Sequence, residues 1–266
     1  MLGIDAAWTS GQPSGVALVS ETDRGWCCDA VAPSYSSFIA LAMQGTPVDW
    51  NGAIDAGPPE PQALKQAAAA LLASRDDVSL TITVDMPVSK TPITSRREAD
   101  NAVSRRFGAA GCGTHSPSPA RPGRIGAALT KGFATIGHRV AAVGDSVEGA
   151  LLEVYPHPAL LVLLGCDRRV PYKVSRSRQY WPEASPTERI ALLLGELRNI
   201  HVALASRIEN LRVPLPRSVP TLSALKRYED ALDALISAWV GMECLDERGE
   251  ALGDSTAAIW CPRVTR

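Results

Sequence analysis

The stretch LGIDAAW, residues 2–8, decides the fold: it is an apolar run with one acid, Asp5, in its middle. Gly11, Pro13 and Gly15 punctuate a turn behind it, GVALVS (residues 15–20) is a second apolar run, and residues 26–32 are a third. Consecutive runs joined by tight turns predict an antiparallel meander. Outward from it, residues 34–44 predict a helix and residues 45–61 a loop rich in Pro, Gly and Asp. PQALKQAAAALLAS (residues 61–74) is a strong helix, with proline near its start and alanine throughout. SLTITVD (residues 79–85) is a β-rich run that ends in Asp85, and Pro87 stops it.

Further along, residues 96–107 predict a charged helix closed by Gly108, and residues 111–126 a loop. Residues 125–140 predict a helix weakened by Gly132 and Gly137. A short strand at 151–155 leads through Pro156-His157-Pro158 into a brief apolar helix ending at Leu164. Residues 173–182 read as a polar loop, 186–211 as the longest helix, 226–242 as another strong one, and 259–262 as an edge strand. A meander followed by alternating strands and helices predicts an α/β fold, a mixed sheet with helices on its faces.

The composition is that of a globular enzyme: 266 residues, 45% hydrophobic and 21% charged. The longest apolar run, residues 159–166, falls far short of the roughly 20 residues that span a bilayer. The start, Met1-Leu2-Gly3-Ile4-Asp5, lacks the basic region of a signal peptide, so the expectation is a cytoplasmic protein without a membrane partner. Six scattered cysteines form no C-x-x-C pair, which predicts buried thiols rather than a disulfide scaffold or zinc knuckle.

Several acids stand in apolar surroundings. Asp5 is inside the first run, Asp85 ends a strand, and Glu153 lies within Leu-Leu-Glu-Val-Tyr. Asp230 and Asp233, three apart on a helix, share a face among Ala231, Leu232, Ala234 and Leu235. A carboxylate in such a place is costly unless it is paired or holds a metal. Like charges this close repel, a bound cation relieves them, and hard oxygen donors favour Mg²⁺ or Mn²⁺. Metal-assisted phosphoryl transfer needs a cluster of this composition. The competing reading is structural at each position. Glu229 and Asp230 can pair with Lys226 and Arg227 on a solvated helix, and Glu153 can order its turn or hold a basic side chain.

The net charge of −1 conceals a polarised chain. Between Lys90 and Arg139 nine basic residues face two acids, about +7, and residues 167–178 add about +4. Residues 226–254 carry three basic residues against eight acids, about −5. Cations that hold phosphates beside acids that hold a metal are what a nuclease requires. On the charged helix Arg96 and Arg97 can instead reach Asp100, whereas Arg121 and Arg124 have no local partner.

Gly3-Ile4-Asp5-Ala6, then Val84-Asp85-Met86-Pro87, then the helix with Arg97, Asp100 and Arg105 resemble the domain of unknown function 429 family, described as predicted RNase H-like nucleases. Glu153-Val154-Tyr155-Pro156 is similar to its E-x-x-P segment, Tyr172-Lys173 to its following lysine, and residues 227–234 to its acidic helix. The likeness spans residues 2–240. It implies an RNase H-like mixed sheet, an antiparallel three-strand meander plus parallel strands flanked by helices. It also implies one domain over residues 1–266 with helical and loop insertions around 86–150 and 165–225. The expected catalytic acids are Asp5, Asp85, Glu153, Asp230 and Asp233, with Mg²⁺ or Mn²⁺ on Asp5, Asp85 and Asp233 (or Asp230). Nucleic acid, RNA or DNA, is the expected partner, held by Arg97, Arg105, Arg121, Arg124 and Lys173. Two other classes compete: an ATP-dependent phosphotransferase or ATPase of the related actin-like fold, and a non-catalytic module that binds nucleic acid or a protein.

Overall fold

The computed structural model describes residues 1–9, 11–73 and 79–264. Strands β1 (Leu2–Asp5), β2 (Gly15–Thr22) and β3 (Gly25–Ala32) form the antiparallel meander. β4 (Ile82–Val84) pairs parallel to β1, and β5 (Leu151–Val154) parallel to β4. β7 (Ala258–Pro262) pairs parallel to β5, and β6 (Gly249–Gly253) runs antiparallel on its outer side. The seven-stranded order is β3-β2-β1-β4-β5-β7-β6. The protein is thus an α/β fold with a mixed sheet flanked by helices, consistent with an RNase H-like architecture.

Alternation along the strands assigns the two faces. Leu2, Ile4, Val16, Leu18, Ile82, Val84 and Leu151 pack with α1 (Tyr35–Gln44), α2 (Pro61–Leu71) and α4 (Arg124–Thr135). Ala17, Val19, Leu152 and Val154 pack on the other face with α5 (Pro156–Leu164), α7 (Pro186–Ala205) and α8 (Leu222–Leu245). α3 (Glu98–Phe107) covers the far end, setting Val103 and Phe107 against Ile259 and Cys261. Among the described residues no helix is long and apolar enough to cross a membrane, and all six cysteines are free thiols.

Three sequence readings need correction. The strand near residue 259 is not the edge, because β6 pairs outside it. GEALG has glycine at both ends and no β-branched residue, so its strand state is imposed by the open edge of β7. The longest helix is α8 rather than α7. α7 stops at Ala205, and the chain beyond it pairs with β3 through Glu209 N–H to Trp26 O (2.8 Å) and Cys28 N–H to Glu209 O (2.9 Å). Within the expected polar loop at 173–182 lie a 3-10 turn (Val174–Arg176) and the short α6 (Ser177–Tyr180). The last residue of the helix expected at 61–74 lies outside the described residues.

The placement of α8 decides where the acidic residues sit. The helix crosses β1 and β2 over two glycines, at backbone contact. A Cβ on Gly3 would lie 2.2 Å from the carbonyl oxygen of Ala234, and one on Gly15 would lie 2.1 Å from that of Asp230. No side chain fits there, so these glycines set the depth at which the acidic turn of α8 rides on the sheet.

Gly3→Ala is expected to cost about 3 kcal/mol or more, because helix and sheet must part. Gly195→Ala in α7, where a Cβ meets nothing within 4 Å, is expected to gain about 0.5–1 kcal/mol. Urea denaturation of both variants checks this; equal effects would contradict the packing described.

Candidate active site

Asp5 closes β1, and Asp85 follows β4 directly. The Asp85 N–H donates to Ile4 O at 2.9 Å, so the parallel ladder runs one step further and sets the two acids side by side at one sheet edge. They continue the alternation of Gly3 and Thr83, toward the face that carries α8. Asp5, Asp85 and Asp230 line one cleft of about 270 Å³, together with Trp8, His115, Arg121, Lys173 and Lys226.

Asp230 and its helical neighbours are held by two lysines. The Lys226 ammonium, one turn before, pairs with Asp230 and lies 3.1 Å from Glu229. Lys173 pairs with Asp233 and lies 3.5 Å from Glu229. Three successive residues clamp onto α8: Tyr172 Oη donates to Asp233 Oδ1 at 2.6 Å, Lys173 Nζ donates to its Oδ2, and the Val174 N–H donates to Glu229 Oε2 at 2.6 Å. Asp233 is fully buried, with both oxygens taken. Asp230 keeps a buried oxygen, Oδ2, with no hydrogen-bond partner.

Burial shapes the electrostatics. It pushes Asp85 well above the usual aspartate range, with Asp5 adding to the rise and Lys173 opposing it. Burial likewise raises Asp230 against the pull of Lys226, and raises Asp233 to about 6 against the pull of Lys173. Glu229 is the exception: burial would raise it, but Lys173, Lys226 and the Val174 N–H together hold it below the usual range. Burial works against the ammonium of Lys226, but Asp230, Glu229 and Asp5 outweigh it. Burial, with Arg176, Arg121 and Arg169, pushes His115 down, so its imidazole is neutral at pH 7.

Glu153 belongs to a different constellation. In register it stands beside Val84, on the face opposite α8. Arg97 grips it with two bonds of 2.5 and 2.7 Å and holds Asp100 at 2.9 Å, and the Val88 N–H donates to Glu153 at 2.8 Å. Arg97 is therefore committed to two buried carboxylates. Arg105 pairs with Glu98 on the exposed surface of α3, and Arg124 stands at the start of α4, in a separate recess. Of the five cations expected from sequence, the structure brings Arg121 and Lys173 to the cleft. Arg121 also lies over the Trp8 ring, 5.5 Å from its centre.

Lys226, Tyr172, His115 and Trp8 belong to the site although none was expected as a site residue. Lys226 was legible from its spacing to Glu229 and Asp230, but that spacing also fits a solvated helix face. Tyr172 stands in the motif with Lys173, but nothing local assigns it to Asp233; His115 and Trp8 carry no local signal, because long-range packing brings them in.

Arg97→Leu is expected to destabilise by about 3–5 kcal/mol, since it strands two buried carboxylates. Adding Glu153→Gln should recover part of that loss. Chemical denaturation of the single and double variants measures it; a double variant no more stable than Arg97→Leu would count against the ion pair as the stabilising element.

The family model described as "Protein of unknown function (DUF429)" matches residues 3–257. No curated protein and no solved structure matches. With nearly its whole length covered, the chain belongs to the protein of unknown function 429 family.

Proposed function

We propose that this chain is a divalent-cation-dependent nuclease that hydrolyses phosphodiester bonds of nucleic acid in the Asp5–Asp85–Asp230 cleft. The observation that carries this reading is the meeting of those three acids on one cleft wall with Arg121 and Lys173 beside them. Five carboxylates (Asp5, Asp85, Glu229, Asp230 and Asp233) share two ammonium groups, leaving three surplus negative charges when all are ionised. Burial makes that surplus costly, which is why three of the acids hold their protons so strongly.

The residues fit a hard cation. The donors are carboxylate oxygens, the chemistry that Mg²⁺ and Mn²⁺ select, and Asp230 Oδ2 is buried without a partner. Among the described residues no three His, Cys, Asp or Glu side chains already converge as a cage, and Lys226 supplies the counter-charge to Asp230. Asp5, Asp85 and Asp230 would hold the cation, Asp230 exchanging its lysine for it. When bound, it supplies a lowered pKa for a water nucleophile and charge to steady the phosphate.

The chain's own groups do the rest. Arg121 and Lys173 hold the phosphate at the cleft. Asp233 and Tyr172 fix Lys173, so Asp233 is assigned a positioning role rather than the direct ligand role expected from the resemblance. His115, neutral at pH 7, can accept or pass a proton at the rim. A phosphotransferase reading has no comparable support. Gly144, Asp145 and Ser146 are poor substitutes for a phosphate loop; Asp145 and Ser146 line a different recess, and Asp145 is paired with Lys90.

With Mn²⁺ or Mg²⁺ the protein is expected to cleave single-stranded RNA or DNA, or branched DNA. Asp5→Asn, Asp85→Asn and Asp230→Asn should each lose about 100-fold or more. No cleavage of any of these substrates would overturn the reading, and binding without cleavage would favour the module.

A second expectation concerns pH. Aspartates raised in the folded state keep protons that the unfolded chain loses near pH 4, so without cation their contribution to stability falls as pH rises above about 4, that of Asp233 through about 6 and those of Asp85 and Asp230 as each loses its proton in turn. A cation competes with those protons. The melting temperature in Mg²⁺ minus that in EDTA should therefore be near zero at pH 4.5 and about 5 °C or more at pH 8. A difference independent of pH would contradict cation binding by these acids.

A further inference from the structure

A basic groove opens next to the cleft. The turn at residues 118–121, closed by Ser118 N–H to Arg121 O (2.7 Å) and Arg121 N–H to Ser118 O (3.0 Å), separates the two. Arg121 lines the cleft, whereas Ser118 and Pro122 line the groove; likewise Asp85 lines the cleft and Pro87 the groove. The groove, about 480 Å³, runs between residues 87–93 and α4. Among the described residues its cations are Lys90, Arg124 and Lys131, and no Asp or Glu lines it. Arg124 and Lys131 stand seven residues apart on one face of α4, exposed and, among the described residues, without an ion pair. Lys90 is paired with Asp145 at the far end, where a neighbouring recess of about 660 Å³ begins and acids return.

Arg124 and Lys131 line one helix face in a groove that, among the described residues, no Asp or Glu lines, whereas Arg105, Arg106 and Lys226 on other helices are held in ion pairs. Seven residues of helix set the two cations about 10 Å apart along the axis; hydroxyls of Ser89, Thr91 and Thr130 lie alongside, and Pro92, Ile93 and Pro122 offer apolar surface. A recess of this size suits a small-molecule-sized segment rather than a duplex.

We propose that this groove holds the backbone of a single nucleic-acid strand leading away from the scissile bond, with Arg124 and Lys131 on its phosphates. The proposal rests on the nuclease reading for the strand's other end, but it makes its own prediction in EDTA, where cleavage is off.

The test is fluorescence anisotropy of a labelled single-stranded 15-mer in EDTA across a salt series. The double variant Arg124→Glu/Lys131→Glu should bind at least about tenfold more weakly. Its log–log salt slope should be shallower by about 1.4, the change expected when two phosphates are no longer neutralised. Arg207→Glu, an exposed cation outside the groove, should change affinity less than twofold. A duplex of the same sequence should bind more weakly than the single strand. Equal loss in Arg207→Glu, an unchanged slope in the double variant, equal duplex affinity, or equal competition by poly-glutamate of matched charge would each overturn the proposal. Groove-dependent binding by a protein that cleaves nothing would uphold the groove and sink the nuclease reading; cleavage with no groove dependence would do the reverse.

Discussion

The close seating of α8 on β1 and β2, over Gly3 and Gly15, is the constraint on which the rest of the structure depends. The glycines let the helix backbone touch the sheet. That seating brings Asp230 to the same cleft as Asp5 and Asp85, and it buries Glu229 and Asp233 behind them. Had either strand carried a side chain there, the helix would stand off and the acids would be solvated. Helix–sheet packing therefore creates the site and also its electrostatic cost.

That cost is met in two ways. On the α8 face, Lys226 and Lys173 neutralise part of the cluster, and residues 172–174 lock onto the helix with three consecutive donors. On the opposite face, Glu153 is neutralised by Arg97 and its partners. The second cluster sets one guanidinium between two buried carboxylates and is closed by hydrogen bonds, as structural ion pairs are. The first keeps a charge surplus, an orphan oxygen and an opening to solvent, the condition expected of a functional site.

Much of this was legible in the sequence. The meander, the strands ending in Asp5 and Asp85, and the acidic helix follow from local patterns of apolar runs, turns and spacing. β6 was invisible because its strand state comes from the open edge of β7. The separation of Glu153 from the other acids was hidden as well, because it turns on register: one step along the ladder decides which face a side chain takes. The same applies to Arg97, whose partner is 56 residues away. The choice between Asp230 and Asp233 needed the rotation of α8, which three-residue spacing alone does not supply. The basic excess at residues 90–139 resolved into several roles, among them Lys90, Arg97, Arg105 and Arg106 in ion pairs, Arg121 at the cleft, and Arg124 and Lys131 along the groove.

The most direct measurement is a crystal soaked in Mn²⁺ with data collected at the manganese edge. Cation binding in the cleft predicts an anomalous peak bounded by Asp5, Asp85 and Asp230, with Lys226 displaced from Asp230 and Asp233 still held by Tyr172 and Lys173. A map without a peak there, with Lys226 still on Asp230, would contradict a metal-dependent site.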